Sequence, residues 1–279
     1  MKGTDRILFF GTGGLLSSTC LNALIRSDKK PVLVVMQNTE SPYPNLTKII
    51  CENAGIPCLL VDSVNSNDAL EQLTAHHANF AIVASFGEIF KQELLNLFPI
   101  YNVHMGVLPH FRGAYTNFWK ILNNDDVYGV TIHQMEEKVD SGNIILIREQ
   151  DFSTVVFAGD FFKMNYEMAA EALIDAIELI QKQVFPAYMD NSSGKYYRKH
   201  TAADMVLNPH ESVHHLNKKI NRLQFYGNPT IEGLRLTSAE MLLDQALNID
   251  SFELISISEN STILKNQSGI VLLKHHSIK

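Results

Sequence analysis

The run Arg6-Ile7-Leu8-Phe9-Phe10, followed by Gly11-Thr12-Gly13-Gly14 and Leu15-Leu16, decides the fold class. A mostly apolar run stops at a glycine-rich turn. Leu15, Leu16, Leu21, Leu24 and Ile25 then recur at near-helical spacing, so the segment reads strand, turn, helix. Working outward, Pro31 to Met36 is a continuous apolar run of the kind shown by a strand buried on both faces. Leu46 to Ala54 reads as a helix closed by Gly55. The alternation continues with a strand at Pro57 to Val61, a helix at Ala69 to His76, a strand at Asn79 to Ala84, a helix at Gln92 to Leu97 and a strand at Ile100 to Val103. Such βαβα order predicts an α/β fold: a Rossmann-like, mostly parallel sheet with helices on both faces. Val127 to Met135 and Ile144 to Ile147 add two further strands.

Between Asp160 and Val184 apolar residues at Phe162, Tyr166, Ala169, Leu173, Ile177, Ile180 and Val184 step by three or four, marking a long amphipathic helix. Asp190 to Gly194 is a polar linker signal. Beyond it come a helix near Ser212 to Leu223 and short strand-like runs at Leu234 to Leu236, Phe252 to Ile257, Thr262 to Leu264 and Ile270 to Leu273. We therefore expect a first domain at 1–190 and a small, mostly β C-terminal domain at 195–279. A length of 279 residues suits this, at ~150 residues per domain.

Composition excludes several classes. Hydrophobic residues at 46% are ample for a core, and near-average use of glycine (15) and proline (9) argues against linker-like or collagen-like chains. Runs such as Phe80 to Ala84 are far shorter than the ~18 apolar residues of a membrane span. Lys2 and Arg6 precede an apolar stretch that Gly11, Gly13 and Gly14 interrupt at once, unlike a signal peptide, so a cytoplasmic location is expected. Cys20, Cys51 and Cys58 are odd in number and fit no metal or redox spacing, which suits a reducing compartment. His76-His77, His214-His215 and His275-His276 have no partners at ligand spacing, so no metal is expected. From Lys195 onward ten basic residues face eight acidic ones, leaving thirteen against twenty-two before it. An acidic main body argues against a large nucleic-acid footprint and favours small substrates.

Chemistry concentrates in a few places. The turn Gly11-Thr12-Gly13-Gly14 opens a helix and could hold an anion; a simple tight turn is an equal alternative, and Leu16 stands where a dinucleotide fingerprint wants glycine. In Tyr101-Asn102-Val103-His104, the period-two alternation points Asn102 and His104 to one side of the sheet's carboxyl edge, where open α/β sheets bind ligands. Leu108 to Gly113 is a loop fixed by Pro109 and Gly113, in which Arg112 could hold an anion through its planar fork. Asp140 follows a strand in a turn closed by Gly142, so its carboxylate can approach from a neighbouring strand end and orient a histidine.

Asn102-Val103-His104-Met105-Gly106-Val107-Leu108-Pro109, with Arg112-Gly113, and Gly129-Val130-Thr131-Ile132-His133, with Val139-Asp140-Ser141-Gly142, together resemble the folate-dependent formyltransferase family from about Arg6 to Gln183. That family includes enzymes acting on methionyl-tRNA, on glycinamide ribonucleotide and on sugar nucleotides. The resemblance implies Asn102, His104 and Asp140 as the catalytic trio and 10-formyltetrahydrofolate as co-substrate. Phe86, Gly87, Glu88 and Ile89 are similar to the segment whose backbone cradles the pterin, and Val139 joins the cofactor-binding set. Gly11 and Gly13 from the glycine-rich turn, with Arg112 and Tyr115 from the loop after the Asn-His pair, are the candidate substrate-binding residues, a plain surface role for Arg112 being an equal alternative. Many members have Ser where this chain has Gly106, and the tRNA enzymes commonly read R-G-A-A-P-I where this chain reads Arg112-Gly113-Ala114-Tyr115-Thr116-Asn117. His133 is similar to the sugar-nucleotide members. The expected acceptor is thus a nucleotide-linked amino sugar. Formylation of methionyl-tRNA, hydrolysis of formyltetrahydrofolate, and a noncatalytic folate- or nucleotide-binding module are the alternatives. The β-rich tail could support a homodimer. Trp119 is expected in the core, and Lys195, Arg198, Lys199, Lys218, Lys219 and Arg222 on a solvated face.

Overall fold

The structure is a computed structural model that describes residues 5–40, 44–185 and 194–277. Its first elements are β1 (Ile7–Gly11), α1 (Leu15–Arg26), β2 (Leu33–Gln37), α2 (Leu46–Ala54), β3 (Cys58–Val61), α3 (Asn67–Ala75), β4 (Phe80–Ala84), α4 (Gln92–Leu95) and β5 (Ile100–His104). After β5 come β6 (Arg112–Gly113), α5 (Thr116–Leu122), β7 (Val127–Gln134), β8 (Ile144–Asp151), α6 (Ala158–Lys182) and β9 (Tyr196–Tyr197). The remainder is α7 (Val213–Leu223), β10 (Thr230–Ile231), β11 (Leu234–Asp244), β12 (Glu253–Ser258), β13 (Ser261–Asn266) and β14 (Gly269–His275). Of the linker residues, Asp190 to Ser193 lie outside the described residues. Among the described residues no helix is long and apolar enough to cross a membrane.

The chain divides into two compact units. The first takes the chain up to Gly113, Gly129–Gln150 and Asn165–Tyr197; the second takes Ala114–Tyr128, Asp151–Met164 and the chain from Arg198 on. The first holds the mostly parallel sheet, of strand order β3-β2-β1-β4-β5-β7-β8. β1 pairs in parallel with β2 and β4, β2 with β3, and β4 with β5, whereas β7 runs antiparallel to β5. Every residue of β1 and β4 is buried, as their unbroken apolar runs require. Leu8, Phe10, Val35, Ala81, Val83, Phe90 and Ile100 join one hydrophobic cluster. The order reverses between β1 and β4, and open α/β sheets bind ligands outside the carboxyl ends of strands at such a point.

The turn after β1 is held from inside. Ser17 Oγ donates to the Ala84 carbonyl at 2.5 Å and accepts from the Thr12 N–H at 2.9 Å. Thr47 Oγ1 donates to the Thr12 carbonyl at 2.6 Å, and the Leu46 N–H reaches the Gly13 carbonyl at 3.2 Å. A Cβ at Gly13 would stand 2.9 Å from Asn45 Cγ, so packing of α2 against the turn already accounts for that glycine. Asn45 caps α2 by accepting from the Lys48 N–H at 2.9 Å, and Gly55 closes it with φ 61°. Ser17→Ala would leave a buried donor and acceptor unpaired, and urea unfolding should show a loss of roughly 1–3 kcal/mol. An unshifted midpoint would mean that water replaces the hydroxyl.

The second unit holds the antiparallel sheet β10-β11-β14-β13-β12. Two expectations about this unit need correction. Lys218, Lys219 and Arg222 do not form a solvated face; they are 6%, 5% and 2% exposed. Each is turned inward by a carboxylate: Asp126 accepts from Lys218 at 2.5 Å and from Arg222 at 2.8 Å, and Glu211 pairs with Lys219. Trp119 is half-buried rather than core, because its Nε1–H donates to the Arg198 carbonyl at 2.8 Å and the Arg198 guanidinium lies 5.1 Å from its ring centre.

Candidate active site

The antiparallel register of β5 and β7 sets Asn102 opposite His133 and His104 opposite Thr131. Opposed residues share a face, and so do residues two apart, so one polar face forms where the two strands meet. Thr131 Oγ1 donates to the Gly106 carbonyl at 2.7 Å and accepts from the Leu108 N–H at 3.1 Å, which anchors the loop after β5. Asp140 enters from the turn after β7 with φ 53°, in the left-handed region that aspartate tolerates. A Cβ at Gly142 would fall 2.0 Å from the Gln134 carbonyl, so the tight return behind Asp140 needs glycine.

The side chains meet at the Asp140 carboxylate. Its Oδ1 stands 3.6 Å from His104 Nδ1 and 3.4 Å from His133 Nε2, while Oδ2 accepts from the Gly113 N–H at 2.7 Å. Asn102 Nδ2 lies 3.3 Å from His133 Nε2, and His133 Nδ1 contacts the Gln134 carbonyl at 2.9 Å. His104 and Asp140 are buried, at 6% and 7% exposure; Asn102 is half-buried. The structure thus brings Asn102, His104 and Asp140 together, with His133 Nε2 lying beside both Asn102 and the carboxylate. Sequence reasoning left His133 out of the trio. The antiparallel turn of β7 against β5, which places it beside Asn102, has no signature in a parallel reading of the strands.

Burial pushes the His104 pKa down, and the repulsion of His133 adds to this; the Asp140 charge and the Phe111 carbonyl pull the other way without reversing it. Asp140 favours the charged imidazole, but burial outweighs it, so His104 stands neutral at pH 7. Burial alone would raise Asp140, but hydrogen bonding from His133, the charges of both histidines and the Gly113 N–H hold it down at about 2. A carboxyl depressed from 3.8 contributes stability above about pH 4 that is lost as pH falls towards about 2. Acid unfolding of the wild type should therefore steepen across that window and be blunted in Asp140→Asn; identical acid profiles would remove Asp140 from the linkage.

The remaining expected residues are dispersed. Phe86 packs edge-on to Phe10 and Phe90 at 5.8 and 5.4 Å. The Gly87 N–H donates to Gln37 Oε1 at 3.2 Å. Glu88 binds Ser63, the Val64 N–H and Asn65 at 2.6, 2.8 and 2.7 Å, so its carboxylate braces the neighbouring loop. Ile89 is 68% exposed and Val139 37%. Gly11 is packed against Phe9 and Ser17. Arg112 is buried, and its main-chain N–H donates to the Lys195 carbonyl at 3.1 Å. Tyr115 belongs to the second unit, where it is exposed and packs edge-on to His200 at 5.0 Å. Among the described residues no group of three or more His, Cys, Asp or Glu could hold a metal ion.

Methionyl-tRNA formyltransferase from Desulfotalea psychrophila is 35% identical over 185 residues, covering 63% of this chain and 57% of that protein. The Sulfurimonas denitrificans enzyme of the same name is 24% identical over 95% of this chain and 89% of its own length. Among solved structures, an N-formyltransferase from Helicobacter canadensis in complex with folinic acid and dTDP-3-aminofucose superposes with a TM-score of 0.69, at 16% identity, over 97% of this chain and 99% of that one. Residues 5–158 match the formyl transferase family, a stretch that is more than half of the chain and includes Asn102, His104, His133 and Asp140. The chain belongs to the formyl transferase family.

Proposed function

We propose that this protein transfers the formyl group of 10-formyltetrahydrofolate to the amino group of a nucleotide-linked amino sugar, and that it does so in the cytoplasm. The observation that carries the reading is the convergence of an amide, two imidazoles and a carboxylate at one strand end. Attack of an amine on a formamide builds negative charge on the formyl oxygen and requires a proton to leave the amine. The Asn102 amide is a preorganised donor for that oxygen. His104, neutral because buried, is a base for the proton, and Asp140 steadies the imidazolium that results. The folate supplies the activated formyl group, and its leaving nitrogen receives the proton from His104. Neither Ser nor Cys is needed as a nucleophile. Backbone groups of Phe86 to Ile89, with Val139, are the proposed pterin contacts, and Arg112 the proposed group orienting the acceptor.

The acceptor is supported by the dTDP-3-aminofucose bound to the Helicobacter canadensis protein and by the acidic balance of residues before Lys195. Methionyl-tRNA is the second reading, favoured by the names of the sequence relatives. Incubation with labelled 10-formyltetrahydrofolate should place the label on dTDP- or UDP-linked amino sugars and leave charged methionyl-tRNA unlabelled. Label on the tRNA alone would replace the sugar reading. Free formate without an acceptor product would indicate hydrolysis, and no release at all a binding module.

A further inference from the structure

The two ring nitrogens of His104 have different surroundings. Nε2 stands 2.5 Å from the Phe111 carbonyl oxygen. A carbonyl can only accept, so Nε2 carries the hydrogen in this contact. Nδ1 faces Asp140 Oδ1 at 3.6 Å, beyond a direct hydrogen bond. In the neutral ring the proton therefore sits on Nε2 and the lone pair on Nδ1, beside the carboxylate.

The carbonyl reaches the ring because position 106 is glycine. A Cβ there would stand 2.8 Å from the Phe111 oxygen and 2.9 Å from His104 Nε2. The loop that carries the carbonyl is secured on several sides. The Phe111 N–H donates to the Val107 carbonyl at 3.1 Å, and Arg112 and Gly113 pair in parallel with Tyr196 and Tyr197. The Phe111 ring stacks on Tyr197 with centroids 5.1 Å apart and planes 4° apart. Phe111 is therefore placed by its neighbours, with its carbonyl aimed at His104.

We propose that the Phe111 main-chain carbonyl, admitted by Gly106, is a positioning group for His104: it commits Nε2 to a main-chain hydrogen bond and leaves Nδ1, on the Asp140 side, to take the amine proton. This rests on the formyl-transfer reading for its kinetic consequence only. In the step, the Nδ1 lone pair forms the new N–H bond while the amine N–H bond breaks and its electron pair stays on the amine nitrogen. The ring becomes an imidazolium with Nε2–H still on Phe111, and it returns to neutral when the Nδ1 proton passes to the folate nitrogen. The groups acting on the ring are Asp140 from the turn after β7, His133 from β7 and the Phe111 carbonyl from the loop. The carbonyl holds up the proton affinity that burial lowers.

The test uses the full chain labelled with 15N-histidine, with the His104 signals identified by their loss in His104→Ala. The expected resting spectrum shows a bare Nδ1 and a protonated Nε2; a protonated Nδ1 with a bare Nε2 overturns the proposal. In Gly106→Ala the carbonyl is pushed from the ring, so the tautomer bias should weaken. The rising acid limb of kcat/KM against pH should then move down by roughly 0.5–1 pH unit, the equivalent of one hydrogen bond. An unmoved limb with an unchanged tautomer overturns the proposal. Should Gly106→Ala fail to fold, the wild-type spectrum decides alone. Absence of formyl transfer to any acceptor would sink the formyl-transfer reading and leave the spectral result standing on its own.

Discussion

His104→Ala lowers the turnover of formyl transfer at least ~100-fold, the usual contribution of a positioned acid–base group, while binding of folate and acceptor is largely retained. The size follows from what the ring does in the site. It is neutral because burial disfavours its charged form, so it can accept a proton at pH 7, and Asp140 lies 3.6 Å away to stabilise the charge it acquires. Alanine removes the proposed base but leaves Asn102 and the proposed pterin contacts in place, so the loss falls on kcat. Single-turnover rates with saturating folate and acceptor give the measurement. Turnover equal to wild type would end the role of His104 as base. Asn102→Ala should fall with it, since the same carbon is served by both, whereas a binding module would show no change of rate in either variant.

Asp126→Asn is expected to produce the largest loss of stability. Lys218 and Arg222 are 6% and 2% exposed, and both turn to this one carboxylate. Arg222 also donates to the Val155 carbonyl at 2.9 Å and to the Phe152 carbonyl at 2.7 Å, so it cannot swing out to water without breaking those bonds. Removing the charge leaves two buried cations side by side. Breaking a buried pair typically costs about 3–5 kcal/mol, and because Asp126 keeps 26% of its side chain exposed the loss falls at the low end of that range. Urea unfolding of the wild type and the variant reads the difference, and adding Lys218→Met to Asp126→Asn should recover part of it. A shift below about 1 kcal/mol, the range of exposed ion pairs, would mean that water reaches the cluster.

These two variants fall on opposite sides of what the sequence discloses. Strong periodic segments are legible in it. Leu46 to Ala54 is a helix with the ends its Asn45 cap and Gly55 stop prescribe, because caps are local chemistry. The parallel strands are legible because burial on both faces leaves an unbroken apolar run. β11 is not, beyond Leu234 to Leu236: it continues to Asp244 through half-buried Thr237 and Ser238 and exposed Glu240, polar residues that interrupt any hydrophobic run. β6 and β9 are two residues each and exist only because Arg112 and Gly113 find Tyr196 and Tyr197, some eighty residues later. Asp126 is illegible for the same reason, since a charge run on a helix says nothing of a carboxylate ninety residues away. In the site, Asn102, His104 and Asp140 could be read from spacing and resemblance. His133 depends on an antiparallel neighbour, and the buried state of Arg112 on packing that a loop sequence does not encode.

The reversed direction of β7 has a further bearing on how this chain can vary. Side chains alternate along a strand, so a slip of one residue against β5 would send His133 and Thr131 to the opposite face together and strip both Asn102 and the loop anchor of their partners. Length changes between Met105 and Val127 leave that ladder intact, but one inserted residue inside β7 does not. The ladder itself thus admits exchange of residues and not their addition.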